Sequence, residues 1–398
     1  MPGSDRQARL TILSFAIGAF GIGVTEFATM GLLPYYAADL AVSEPQAGHA
    51  VSAYALGVVV GAPVLAVLGA RLGRKLFLML LIAFFALANL LAAFAPTLDL
   101  LIGARFAAGL PHGAFLGVSM LYAAELSPNR HSAVAVAQVL MGLTVANVIG
   151  VPIVGAIGQA YGWRWCFVIV AAIGVLSAVM IARLAPATRD DTTSSPLREL
   201  KALANRAVWL VLGVGAIGFG AIFAIYSYLS AAMISAANAP TWSIPLALSA
   251  FGVGATAGNY LAGRLAAWSH FGGAAVLLAG MGTVSCLYAG VMGNWPLMAL
   301  SILAMGLMAG LVIPLQMRLM DVAGEAQTLA AALNHAAFNA ANALGPWLAG
   351  LALAAGYGWG STGLVGAALA LGGLGMLGLS WLDARARPHP ADAATNGC

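Results

Sequence analysis

Two charged side chains stand where the chain offers them little solvent. Glu26 is the one charge in residues 10–38, and Arg105 is the one Lys, Arg, Asp or Glu in residues 100–124. An ionised group at the centre of an apolar layer costs about 2.5–3.5 kcal/mol on insertion scales, so it is a functional candidate by default. Burial disfavours a charged carboxylate and a neighbouring cation favours it. A carboxyl balanced between the two can load a proton on one side of a barrier and release it on the other. The alternative for Glu26 is a permanently protonated or hydrogen-bonded packing residue. Arg105 and His112 are seven residues apart and share one helix face, with Gly109 between them. Counted from Asp99, Arg105 lies about 9 Å deep and His112 about 20 Å, while Glu26 lies about 18 Å from the end of its own helix. Glu26, Arg105 and His112 are therefore expected to form a linked titratable set, with Arg105 biasing Glu26. Arg105 has a second reading, capping backbone carbonyls to lock its helix. For His112 the second reading is a hydrogen-bonded interior histidine.

A second group is polar but uncharged. Asn334, His335, Asn339 and Asn342 fall on one arc of a helix. Amides facing lipid would be unsatisfied, so the stripe must face protein or a cavity. It serves either substrate contacts or interhelical hydrogen bonds, and Asn342 leans to the second because Asn147 repeats it. Phe27, Met30 and Tyr226 suit an amphipathic ligand or a periplasmic gate, although Phe and Met at helical spacing also describe ordinary packing. Tyr228 reads as an interfacial tyrosine.

The elements that hold these groups follow from composition. The chain has 398 residues, 62% hydrophobic and only 8% charged, against about 25% charged in soluble domains. Lipid is the solvent that accepts such a surface, and a spanning helix needs about 20 apolar residues. Charges and turn signals, including Asn238 to Pro245, Gly293-Asn294-Trp295-Pro296 and Gly356 to Thr362, cut the chain into twelve spans. With the N-terminus inside, fifteen of the seventeen Lys and Arg residues fall in cytoplasmic segments; Arg164 lies outside and Arg105 within a span. The expectation is an all-α membrane protein of the bacterial inner membrane with both termini cytoplasmic. Its parts are a six-helix bundle (1–185), a polar linker (186–206), a second bundle (207–385) and a tail (386–398).

Several function classes are disfavoured. Cys166, Cys286 and Cys398 form no disulfide framework, and the six histidines show no metal-ligand spacing. With no P-loop or nucleophile elbow, no enzyme activity and no cofactor are expected. The net charge of +4 is not gathered on a soluble domain, so nucleic acid is not an expected partner. The expected partners are a small molecule, protons and the bilayer, and the expected state is a monomer.

The chain also repeats itself. Ser52-Ala53-Tyr54, Gly57 and Gly61 return 197 residues later as Ser249-Ala250-Phe251, Gly254 and Gly258. Asn147, Gly150 and Gly155 return 195 residues later as Asn342, Gly345 and Gly350. Such duplication marks secondary transporters.

These residues resemble the major facilitator superfamily over essentially the whole chain. Arg71, Gly73, Arg74 and Lys75 are similar to its motif between helices two and three, with Ala70 where an acid is usual. Arg105 and Gly109 resemble its membrane-embedded arginine motif. Gly142 to Gly158, with Gly150, Pro152 and Gly155, resembles the helix-five motif of its antiporters, Val151-Pro152 replacing the usual Gly-Pro pair. Thr25 to Pro34 looks most like the drug:proton antiporter family, nearest to arabinose and sugar efflux permease-like members. The resemblance implies proton-coupled export of a small molecule by alternating access. Proton-symport uptake and passive facilitation are the alternatives.

Overall fold

The computed structural model describes residues 2–69, 72–127, 132–186, 205–323 and 327–386. Among them the chain forms twelve long helices. These are α1 (Pro2–Gly31, continued by the short helix Leu33–Asp39), α2 (Glu44–Gly69), α3 (Arg74–Ala93), α4 (Leu98–Leu126), α5 (132–161) and α6 (Arg164–Leu184). The second set is α7 (Arg206–Ser235), α8 (Ser243–Trp268), α9 (His270–Gly290), α10 (Trp295–Ala323), α11 (Gln327–Ala354) and α12 (Ser361–Ala386). Nine of the twelve are long and apolar enough to cross a membrane, and the others, α2, α8 and α11, have 26, 26 and 28 residues.

Contacts divide the chain into two compact units. One is Met1–Ser194 with Leu229–Ala231 and Pro240–Ser249; the other is Ser195–Tyr228 with Ala232–Ala239 and Ala250–Cys398. The expected linker lies mostly outside the described residues, as does the tail beyond Ala386.

Each helix satisfies its own backbone, which is why helices can span lipid. Side chains then sort by solvent. On α3, Leu80, Phe84, Leu87 and Leu91 are 51%, 44%, 54% and 57% exposed, while Leu81, Phe85, Ala88 and Ala92 on the neighbouring face are buried. An outward apolar stripe of this kind is what a lipid-facing helix presents.

Interhelical spacing inside each unit is set by glycine. A Cβ on Gly57 of α2 would lie 2.1 Å from the Phe106 carbonyl oxygen of α4, and one on Gly61 would lie 2.0 Å from that of Leu110. On α4, a Cβ at Gly109 would lie 2.1 Å from the Tyr54 carbonyl oxygen. The second unit repeats this seam 197 residues on. Gly254 and Gly258 of α8 meet the carbonyls of Leu303 and Leu307, and Gly306 meets that of Phe251, at 2.2, 2.3 and 2.4 Å. Small residues let backbones approach where no hydrophobic force drives helices together in lipid.

Helix five is irregular. Ser132–Val145 and Val151–Tyr161 are joined by a π-helical turn, Ala146–Gly150. Pro152 lies just after it and cannot donate to a carbonyl one turn back, so the ladder there is broken by chemistry. The expected turns form as well. Gly293 adopts φ +97, and Asn294 caps α10 by accepting from the Leu297 amide at 3.2 Å.

At the end of the first unit opposite its arginine-rich loops, Asp39 pairs with Arg164 and accepts from Trp163 Nε1 at 3.1 Å. Arg164 also donates to the Ala95 carbonyl at 3.2 Å. The Arg164 bond, aided by that of Trp163, holds the Asp39 carboxyl below the usual carboxylate range.

Two outcomes follow. Gly57→Ala should lower the detergent-solubilised unfolding midpoint, at a cost of about 1–3 kcal/mol for overpacking. Gly155→Ala, where nothing lies within 4 Å of the new Cβ, should leave the midpoint unchanged, and equal shifts would contradict the seam. A carboxyl with a depressed pKa stabilises the fold above its unfolded value near 4 and loses that contribution as pH falls through the depressed value. Asp39→Asn should therefore lower the midpoint at pH 7 and have a shrinking effect toward pH 3, measured by pH-dependent thermal unfolding.

Candidate functional site

The close seam between α2 and α4 puts the Tyr54 ring against Arg105, whose guanidinium carbon lies 4.2 Å from the ring centroid. Phe167 of α6 is on another side, 5.6 Å from the same carbon. Arg105 is 0% exposed, and a buried guanidinium needs partners or it destabilises the bundle. It finds one on α1, donating from Nη1 to Thr25 Oγ1 at 2.8 Å. Thr25 donates in turn to Asn89 Oδ1 of α3 at 2.7 Å, and Asn89 Nδ2 donates to the Phe85 carbonyl at 2.8 Å. Arg105 Nε has no hydrogen-bond partner among the described residues.

The chain of contacts continues down α4. Tyr54 Oη and His112 Nδ1 are 3.0 Å apart, with ring centroids at 5.8 Å. Tyr54 thus joins Arg105 to His112, touching one with its face and the other with its hydroxyl. Glu26, the neighbour of Thr25, is 8% exposed and within electrostatic range of both Arg105 and Tyr54. Four of the unit's helices supply the polar side chains of one cluster, and α6 adds the apolar wall of Phe167.

Sequence reasoning expected Glu26, Arg105 and His112 together but missed their connectors. In sequence, Tyr54 stands out only as a repeated position and Thr25 only as part of a motif. Asn89 was missed altogether, although it is the lone amide in the uncharged run 76–98. By the 197-residue offset Arg105 corresponds to Ile302, an apolar residue 1% exposed. The second unit copies the scaffold without the charge.

The other expected site residues are spread more widely. Met30 is fully enclosed and Phe27 half-buried. Tyr226 is buried with its ring centroid 4.8 Å from that of Phe251. Tyr228, expected at an interface, is instead 1% exposed and donates to the Pro346 carbonyl at 3.1 Å, an interior acceptor on α11. On α11, Asn334 donates to Gln316 of α10 at 2.7 Å, and Asn339 donates to the His335 carbonyl of its own helix at 3.0 Å. Asn342 is buried and His335 half-buried.

At the arginine-rich end of the first unit, Gly73 precedes α3 in extended conformation. Arg74 pairs with Glu125 at the end of α4, and Lys75 donates to the Ala185 carbonyl at 2.7 Å. Arg71 lies outside the described residues. Gly150 ends the π-helical turn, where a Cβ would lie 2.6 Å from Val24 of α1; Pro152 follows it, and Gly155 meets no such neighbour.

Breaking the cluster on one side should be costlier than removing it. Thr25→Val strands the Arg105 donor and should lower stability by about 2–3 kcal/mol. Pairing it with Arg105→Met should recover most of that loss, because apolar groups of similar volume replace the desolvated charge. Thermal unfolding of the two single variants and the double variant checks this, and additive losses would contradict it.

The model of the Major Facilitator Superfamily matches residues 15–321. The inner membrane transport protein YdhP of Escherichia coli (strain K12) is 38% identical over 97% of this chain and 98% of its own. A chloramphenicol resistance protein of Streptomyces lividans is 36% identical over 64% of this chain and 66% of its own. Among solved structures, the nucleoside transporter NupG (D323A mutant) superposes with a TM-score of 0.74 at 12% identity, covering 93% of this chain and 100% of that one; this likeness concerns the fold alone.

Proposed function

The chain belongs to the major facilitator superfamily, and from that premise we propose a proton-coupled exporter of a small molecule working by alternating access. The observation that carries the reading is the enclosure of Glu26 with Arg105, Tyr54 and His112 in one unit, against Ile302 at the corresponding place in the other. A passive facilitator needs no acid in that position. Glu26 takes a proton when its side of the protein faces the more acidic compartment, and substrate leaves; deprotonation toward the cytoplasm restores the substrate-binding state. Arg105 supports the charged form of the carboxylate, and Tyr54 carries the change to His112.

The driving force is sufficient. One charge crossing the membrane is worth about 2.3 kcal/mol per 100 mV. A proton-motive force of about 150 mV therefore supports a gradient of several hundred-fold with one proton. The export direction draws support from the helix-five pattern and from the relative named for chloramphenicol resistance. Phe27 and His335, which stay part-exposed, are the first candidates for substrate contact. Met30 in the first unit and Tyr226, Asn334, Asn339 and Asn342 in the second are the further candidates. Arg71, Gly73, Arg74, Lys75, Gly150, Pro152 and Gly155 serve the conformational cycle. The protein sits in the inner membrane with both termini in the cytoplasm.

Inverted vesicles test this directly against a panel of sugars, nucleosides and phenicols. The wild type should accumulate at least one of them, and an uncoupler should collapse the accumulation. Glu26→Gln should lose the uncoupler-sensitive part by more than tenfold while still binding the same compound. Full proton-driven transport by Glu26→Gln would discard the assignment. Uptake that requires the opposite gradient would favour the symport reading.

A further inference from the structure

The ion pair between Arg74 and Glu125 joins the start of α3 to the end of α4. Moving 196 residues along the chain brings Arg74 to His270 and Glu125 to Asp321. These two also touch: His270 Nδ1 lies 2.8 Å from Asp321 Oδ2, joining the start of α9 to the end of α10. The glycine seams repeat at 197 residues with their backbone contacts intact, so the two pairs correspond to within one residue. The two units therefore carry a tie between corresponding helix ends, built from a permanent cation in one and an imidazole in the other.

We propose that His270 and Asp321 form a proton-binding site that makes this tie of the second unit respond to pH, while its counterpart in the first unit does not. Arginine keeps its charge at every relevant pH. Histidine changes charge between about pH 5 and 8. When His270 is protonated, its Nδ1–H makes a charge-assisted bond to the Asp321 carboxylate; when neutral it can offer only a neutral donor, which binds more weakly. The pair is sheltered but reachable, with side chains 24% and 29% exposed, so protons can exchange with solvent.

Other charged groups among the described residues at this end of the unit have neighbours of their own. Arg318, one turn before Asp321 on α10, lies over the Phe271 ring at 4.8 Å, and Arg264 of α8 lies over Tyr260 at 4.6 Å. Arg206 of α7 pairs with Asp383 of α12 at 3.6 Å, and Arg385 stacks on Trp381 at 3.6 Å. Glu325 lies outside the described residues. Arg318 is the nearest fixed cation by sequence, and its ring partner Phe271 adjoins His270. Proton binding at this pair does not depend on the export reading; only its link to the transport cycle rests on that reading.

Hydrogen exchange of the full-length protein in lipid nanodiscs tests the site without any substrate. Rates at pH 6 and pH 8 are corrected for their intrinsic pH dependence. Amides at 271–274 and 319–323 should be roughly three- to fivefold better protected at pH 6 in the wild type, the scale of a half-exposed ion pair. Amides around 74–77 and 122–125 should show no such difference. His270→Arg should be protected equally at both pH values, and His270→Gln should be equally weak at both. A wild type without the pH difference, or a His270→Arg protein that retains it, would overturn the proposal. A protein that passes this test yet exports nothing would refute the transport reading alone.

Discussion

Everything in the first unit is arranged around one unfavourable fact: a guanidinium with no exposed surface inside an apolar bundle. Water cannot solvate Arg105, so protein must. Thr25 supplies an acceptor, Tyr54 a π-face, Phe167 a second aromatic wall, and Asn89 fixes Thr25 in the orientation that accepts. These partners come from α1, α2, α3 and α6, so solvating one side chain also fixes how four helices meet the fourth in sequence. Glycine makes the approach possible. With a side chain at Gly57 or Gly109, α2 could not come near enough for Tyr54 to lie against the arginine.

Duplication separates the scaffold from the group it holds. The α2–α4 seam and the α8–α10 seam are the same device, down to the carbonyls that each glycine meets. At the site of Arg105 the copy has Ile302, and no buried charge has to be solvated there. The shared scaffold provides spacing, and the two units place different ionisable groups on it.

Much of this was legible before any coordinates. Charge spacing located the helices because lipid tolerates few ions, and proline or Asn-capped turns such as Gly293 to Pro296 appear where the chain must reverse. The glycine repeat was legible too, since glycine in apolar helices signals close approach. What the sequence did not disclose was partnership. Asn89 is one amide among many apolar residues, and nothing local says that it faces a threonine 64 residues earlier. Tyr228 matched an interfacial tyrosine by composition, yet the Pro346 carbonyl, 118 residues away, drew it inside. The π-helical turn at Ala146–Gly150 was signalled only by Pro152, which breaks a ladder without stating how the break is absorbed.

The central claim is that Glu26 exchanges a proton within reach of Arg105. Infrared difference spectra of the purified protein in lipid, recorded across a pH titration, observe that proton directly through the carboxylic acid C=O stretch. The account predicts a titrating band that vanishes in Glu26→Gln and whose midpoint moves when Arg105 is replaced by methionine. A spectrum in which the band survives Glu26→Gln, or in which no buried carboxyl titrates at all, would contradict it.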